Sequence, residues 1–331
     1  MNGLKKMIEI NGGVDALSPE LLTKLRRADL KGASALLVAP HLLFQKRFGN
    51  ASDVLPWDSR SVITEAIRAL LSPCGISTQT ISSITSLSIF ANALTLAQNC
   101  RPPDSVVFDP YVITEEWQWC QYQLICSPNI LRSDVPATMC GCHDSGHCMS
   151  LRGSDVRLSL GTSIEPVLRT CALLYIKEMV FCRDWPRNLS GYSIPLDFVF
   201  RHVKAICHYH SRKNLTARHI DKDDSRTSRL SNRQNTDYGA FMKPILIWIC
   251  LFASAVSLIA QRNMDHHQSD QYDCSVYRAC VVDVVGLEAQ DIDALSEDDL
   301  VLCRLLDLRH ITNQEWDDRI GLKSLLGGTS N

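Results

Sequence analysis

Charge of one sign is what this 331-residue sequence most conspicuously lacks, since 34 lysines and arginines stand against 36 aspartates and glutamates. So even a balance gives no global field for attracting nucleic acid or an anionic membrane, and any such contact would need a local patch. An export signal is missing as well: the opening Met1 to Ile10 turns polar at Asn11-Gly12-Gly13 before an apolar signal core can form. The expectation is therefore an intracellular protein, placed in the nucleus or cytoplasm. Without export, the 14 cysteines are expected as reduced thiols. Several of them (Cys171, Cys207, Cys250 and Cys303) fall at apolar helical positions, where a thiol behaves as a small hydrophobe.

The sequence shows no series of alternating apolar and polar residues flanked by hairpin turns, and no repeat of solenoid length. It has no Gly-rich phosphate loop, dinucleotide fingerprint, Gly-x-Ser-x-Gly elbow or kinase signature. These absences count against strand-built folds and against the common enzyme classes. No catalytic, cofactor-binding or metal residue is predicted, and no cofactor.

What is present is helical periodicity, with 45% hydrophobic residues to supply a core. Ser18-Pro19-Glu20 opens a segment towards Leu37, with a cap acceptor, a proline where the missing N–H costs nothing, and an acid against the positive helix end. Asp58 precedes a stripe of Val62, Ile63, Ala66, Ile67, Leu70 and Leu71. Ile81, Ile84, Leu87, Ala91 and Leu94 form a second stripe, ended by Cys100-Arg101-Pro102-Pro103. Ser163 and Glu165-Pro166 predict another start ahead of Val167, Cys171, Ala172, Tyr175 and Met179. The clearest amphipathic stripe follows Pro195: Leu196, Val199, Phe200, Val203, Ile206 and Cys207. Ser296-x-x-Asp299 and Thr312-x-x-Glu315 read as capping boxes of short C-terminal helices. The predicted fold is all-α, an irregular multi-helix domain with long mobile loops.

Domain organisation follows from composition. Residues 1–209 form the N-terminal part of one helical domain, 210–237 a mobile polar linker or loop, and 238–331 C-terminal helices packing on the same domain. Irregular stretches are also expected over 127–153 and 261–272. The run 245–260 carries no charge. As a helix it would be about 24 Å long at roughly 1.5 Å per residue, short of the roughly 30 Å hydrocarbon layer, so it is predicted as a buried core helix and no membrane is expected. A single-span membrane protein through 245–260 is the competing reading.

One stretch holds soft metal ligands: Cys140, Cys142, His143, His147 and Cys148. Its first two thiols are one residue apart instead of two to four, and no second ligand pair follows at finger-like distance, so a polar loop without metal is preferred. Asp144-Ser145-Gly146 matches an aspartic-protease signature only once, where that chemistry needs two carboxylates. His208 and His210 are expected at a helix C-terminus and His266-His267 in a loop; neither spacing suits a helical zinc site. Trp117, Trp119, Trp185, Trp248 and Trp316 are expected as core more than as pocket lining. The basic residues Arg212, Lys213, Arg218, Lys222, Arg226, Arg229 and Arg233 alternate with Asp221, Asp223 and Asp224, which suits a solvated linker more than a phosphate-binding face.

Two stretches carry a family resemblance. Gly3-Leu4 through Met7 to Gly12-Gly13, followed by Asp29-Leu30 and Ala33, resembles the middle of the regulatory domain of fungal-specific transcription factors, with Asn11 where that family usually has arginine. Glu165-Pro166-Val167 through Tyr175 is similar to the helix that opens the domain's second half, and Pro244-Ile245-Leu246-Ile247-Trp248 to its buried apolar helix. The resemblance covers most of the chain from Gly3 to about Ile320. It implies an all-α fold and transcription regulation through protein partners, co-regulators or a small-molecule effector. The family's N-terminal six-cysteine zinc cluster has no counterpart here, so the expected product is a truncated or stand-alone regulator with direct DNA binding in doubt. A small-molecule-binding helical protein, or an enzyme whose polar groups converge only in three dimensions, is the alternative.

Overall fold

A computed structural model describes residues 2–99, 109–126, 155–181, 193–220, 242–257, 274–287, 291, 293 and 295–306. Among the described residues there is no strand, and the architecture is all-α. In chain order the helices are α1 (Asn2–Ile10), α2 (Pro19–Leu36), α3 (Trp57–Leu71), α4 (Thr78–Asn99), α5 (Pro110–Cys126), α6 (Asp155–Phe181), α7 (Ser193–Ile220), α8 (242–257), α9 (Ser275–Ala279) and α10 (Val301–Leu305). A π turn, Cys280–Val284, continues α9.

The start signals act as their chemistry requires. The Ser18 hydroxyl accepts the Leu21 N–H at 3.3 Å, with Pro19 in the first turn and Glu20 beside it. At the other end of α2, Leu37 takes the left-handed conformation at φ 53° and the Val38 N–H reaches back to the Ala33 carbonyl at 3.0 Å. That closes the helix with a Schellman-type turn in which leucine stands where glycine is usual. Around Ser296 the reciprocal box is complete: the Asp299 N–H donates to the Ser296 hydroxyl at 3.2 Å and the Ser296 N–H to the Asp299 carboxylate at 3.1 Å, just ahead of α10. Thr312 and Glu315 lie outside the described residues.

In α3 the buried stripe is Ile63, Ile67 and Leu71, with Leu70 partly buried. Val62, expected on it, is 68% exposed. One residue is about 100° around a helix, which turns Val62 off the line that Ile63 keeps. Helix α4 buries Ile84, Leu87, Phe90, Ala91 and Ala93 together with Thr80, Ser83 and Ser88, and it lies between α3, α5 and α6. Several of its polar residues bond their own backbone: the Ser83, Thr85 and Thr95 hydroxyls donate to the carbonyls four residues back.

Two expected boundaries are corrected. Helix α6 begins at Asp155, upstream of Ser163, and runs through Pro166, which it holds in its interior at the loss of one backbone hydrogen bond. Helix α7 continues to Ile220, so residues 210–220 are helical instead of opening the linker predicted over 210–237. From Leu196 to Ile220 the sequence has neither glycine nor proline, and extending a formed helix costs much less than nucleating one. His208 therefore sits inside a helix, not at its end, and Arg212, Lys213 and Arg218 are on it. Residues 221–241 lie outside the described residues.

Over 245–257 the apolar run expected as a buried helix is one, residues 258–260 lying outside the described residues: in α8 Ile245 and Ile247 to Ala253 are fully buried and Leu246 nearly so. Among the described residues no helix is long and apolar enough to cross a membrane. Residues from α2 to α10 share a single hydrophobic core, so the segments before residue 210 and after 241 contribute to the same interior.

Candidate functional site

Most of the residues singled out in the sequence for chemistry lie outside the described residues: Cys140, Cys142, His143, His147, Cys148, Asp144, Trp185, His266, His267 and Trp316. Among the described residues no group of histidine, cysteine, aspartate and glutamate could hold a metal ion. The described tryptophans of that set are structural. Trp248 is fully buried, stacked on Phe252 with ring centroids 5.5 Å apart, and its indole N–H donates to the Leu306 carbonyl at 3.4 Å. Trp117 is buried beneath the Arg27 guanidinium. Trp119 is half-buried in a trio with Phe44 and Tyr122, at centroid distances of 5.6 Å and 6.0 Å.

The polar groups that the fold does bring together were not read from the sequence. They lie on the α5 face that meets α2 and on the irregular segment 38–50 between α2 and α3. Glu115 and Glu116, both buried, project into this seam. The Glu115 carboxylate accepts the Arg47 N–H at 2.8 Å, the Phe48 N–H at 2.6 Å and the Arg26 guanidinium at 3.2 Å. Glu116 accepts Lys46 Nζ at 2.7 Å and the Ala51 N–H at 3.1 Å. Arg26 in turn donates to the Gln45 carbonyl at 2.7 Å and stacks over the Phe44 ring at 4.2 Å. Asp29, one turn before α2's last residues, accepts the Leu42 N–H at 2.7 Å.

The result is a segment without secondary structure whose backbone donors are held by three buried carboxylates. A buried carboxylate with several N–H partners and a cation is satisfied, and the segment it holds is correspondingly rigid. Gln118 and Gln121 extend the seam, donating to the Thr23 carbonyl at 3.1 Å and to the Ser34 hydroxyl at 2.6 Å. On its outer side the same stretch exposes Val38 and Leu43, the latter 80% exposed, next to exposed Leu36 at the end of α2. Leu42 and Phe44 flank Leu43 and are buried, so the alternation of the extended chain fixes which side chains face outward.

A signal for this arrangement exists in the sequence. Leu22, Arg26, Asp29, Leu30 and Ala33 share the buried face of α2, so a charged pair stands at core-facing spacing within an apolar stripe. Charges at such positions require partners, and Glu115-Glu116 are acids in an aromatic, apolar helix.

Nearby thiols are inert. Burial, then the Glu116 charge, pushes Cys120 well above the ordinary thiol range. Burial also raises Cys126 and Tyr122. Nothing here is poised as a nucleophile, because a nucleophilic cysteine needs its pKa lowered.

No family model matches the chain, and neither a curated protein nor a solved structure matches it.

Proposed function

We propose that the chain is a helical regulatory domain of the fungal transcription-factor type, acting through a protein partner and not by turnover. The observation that carries the reading is the 38–50 segment: a loop fixed by Asp29, Glu115 and Glu116 that exposes Val38 and Leu43 beside Leu36 at the end of α2. Ordering a loop before binding removes much of the entropic cost of association, and exposed apolar side chains on a rigid frame suit contact with another protein. The charged groups nearby are engaged in holding helices and loop, which favours binding over catalysis. The resemblance adds support where its two helices, α6 around Tyr175 and α8 around Trp248, pack rings 6.3 Å apart in the core.

The test fuses the full chain to an unrelated DNA-binding module and reads a reporter gene in a fungal host. Reporter output should change with the fusion, and Leu43→Asp with Val38→Asp should abolish the change while leaving the melting curve intact. Equal output with and without the chain, or turnover of a substrate by the purified protein, would sink the reading.

A further inference from the structure

Helix α2 turns a second face outward, away from the seam. Leu21 and Leu36 are exposed there, Leu25 is half-buried, and with the exposed Ala28 and Gly32 they recur every three or four residues, so the five share one stripe. From Leu21 to Leu36 that stripe runs about 22 Å at roughly 1.5 Å per residue, and it ends beside the exposed Val38. A Cβ at Gly32 would meet nothing within 4 Å among the described residues. Glycine inside a helix is destabilising relative to alanine, and what it offers is a bare backbone that another chain can approach closely.

One edge of this stripe is basic. Lys24, Arg27 and Lys31 stand three and four residues apart along it, all exposed, and the Arg27 guanidinium lies over the Trp117 ring, 5.4 Å from its centroid. Of the two acids of α2, Asp29 is buried on the Leu42 amide and Glu20 lies back in the first turn, so the edge carries net positive charge. We propose that this face docks an amphipathic α-helix of a partner protein, with the partner's apolar side chains seated on Leu21, Leu25, Ala28, Gly32 and Leu36 and its aspartates and glutamates along Lys24, Arg27 and Lys31.

A helix lying along the stripe presents anchors at the i, i+3, i+4 and i+7 spacing, and about four turns of it match the length. The charges set which helix fits: acids along its flank complement the basic edge, whereas a second copy of the chain would bring its own Lys24, Arg27 and Lys31 to that edge. The occupant rests on the reading that the chain acts through a protein partner, and the two fail separately. A reporter that responds to the fusion while the face binds no acidic helix leaves the partner reading standing and removes this one; an acidic helix bound beside a silent reporter does the reverse.

The experiment titrates the purified full chain into a fluorescein-labelled helical peptide of about four turns, with leucines at the anchor positions and glutamates on the flanks, and follows anisotropy. A counterpart with lysines for the glutamates is run beside it. The glutamate peptide should bind saturably and the lysine peptide at least about tenfold more weakly, with affinity falling as salt rises. Lys24→Glu with Lys31→Glu should weaken the glutamate peptide by about tenfold or more, and Ala28→Tyr should block it, each with an unchanged melting curve. The same charge change at Arg68 and Arg278, on α3 and α9, should leave binding as it was. Equal binding of the two peptides, no binding of either, equal weakening by the control pair, or a dimer of the chain that Ala28→Tyr dissociates overturns the proposal. Should the lysine variants fail to fold, Ala28→Tyr and the salt dependence of the unsubstituted chain decide.

Discussion

Glu165 and Arg169, one turn apart on α6, serve opposite ends of two other helices. The Glu165 carboxylate accepts the Ser77 N–H at 3.0 Å and the Thr80 hydroxyl at 2.6 Å, at the residue before α4 begins and in its first turn. Arg169, fully buried, donates to the Leu124 carbonyl in the last turn of α5. An acid at a positive helix end and a cation at a negative one are each stabilising, and a short spacing on one helix supplies both. Burial lowers Arg169 to about 10, against the opposing pull of Glu165, so it stays charged at neutral pH.

Removing either side chain should therefore be felt at the helix end it serves. Glu165→Ala is expected to cost about 1 to 3 kcal/mol, because it leaves the Ser77 N–H and the Thr80 hydroxyl without their acceptor. Arg169→Met should cost less in that variant than in the unsubstituted chain if the two charges couple across the turn that separates them. Denaturant unfolding of the four proteins of the cycle measures the coupling; strictly additive losses would show that the two side chains act independently.

The latch on the 38–50 segment makes a local prediction. In Glu115→Ala the amides of Arg47 and Phe48 lose their acceptor, whereas in Glu116→Ala it is the amide of Ala51. Hydrogen exchange at those amides should accelerate selectively in each variant, ahead of global unfolding. Global destabilisation of about 3 kcal/mol or more is expected beside it for Glu115→Ala, since Arg26 is left buried without the carboxylate it pairs with. Unchanged exchange at Arg47 and Phe48 would mean the segment is held by its apolar side chains alone.

How far the sequence could be read depended on the range of each interaction. Ser18, Pro19 and Glu20 mark a helix start because cap and dipole act within one turn, and the Ser296 and Asp299 box is legible for the same reason. The burial of 245–257, the described part of the uncharged run, followed from length and lack of charge. What the sequence hid is nonlocal: Glu165 looks like part of its own helix's first turn, yet it caps α4, so the start assigned beside it was misplaced relative to Asp155. Likewise the seam of Arg26 with Glu115 joins residues 89 apart in the chain, and only their apolar surroundings hint that partners are needed. The polar character of 210–220 suggested a linker because composition is silent about a helix already running into it.

Trp248 sits where this reasoning is strongest. Its ring stacks on Phe252 and lies against Tyr175, and all three side chains are fully buried. Trp248→Ala should cost about 3 to 5 kcal/mol as a buried aromatic truncation, and Trp248→Phe distinctly less because most of the volume remains. Thermal or denaturant unfolding reads both; an unchanged midpoint for the alanine variant would remove α8 from the centre of the core.

His202 gives the fold a dependence on pH whose sign can be worked out. The ring stacks on Phe198 with centroids 4.0 Å apart and Nδ1 lies 2.8 Å from the Phe198 carbonyl. Burial, aided by the Arg201 charge and opposed by that hydrogen bond, lowers its pKa below the ordinary 6.5. Between that ordinary value and the lower native one, the unfolded chain takes up a proton that the native protein refuses, so stability rises with pH across the window. The contribution of the neutral ring is complete above the ordinary value, falls as pH drops through the window, and is fully lost below the native value. Melting temperatures followed downward from pH 7.5 should decline more steeply for the unsubstituted chain than for His202→Gln, which has no proton to gain there. Parallel profiles would show that the ring titrates as freely in the fold as in the unfolded chain.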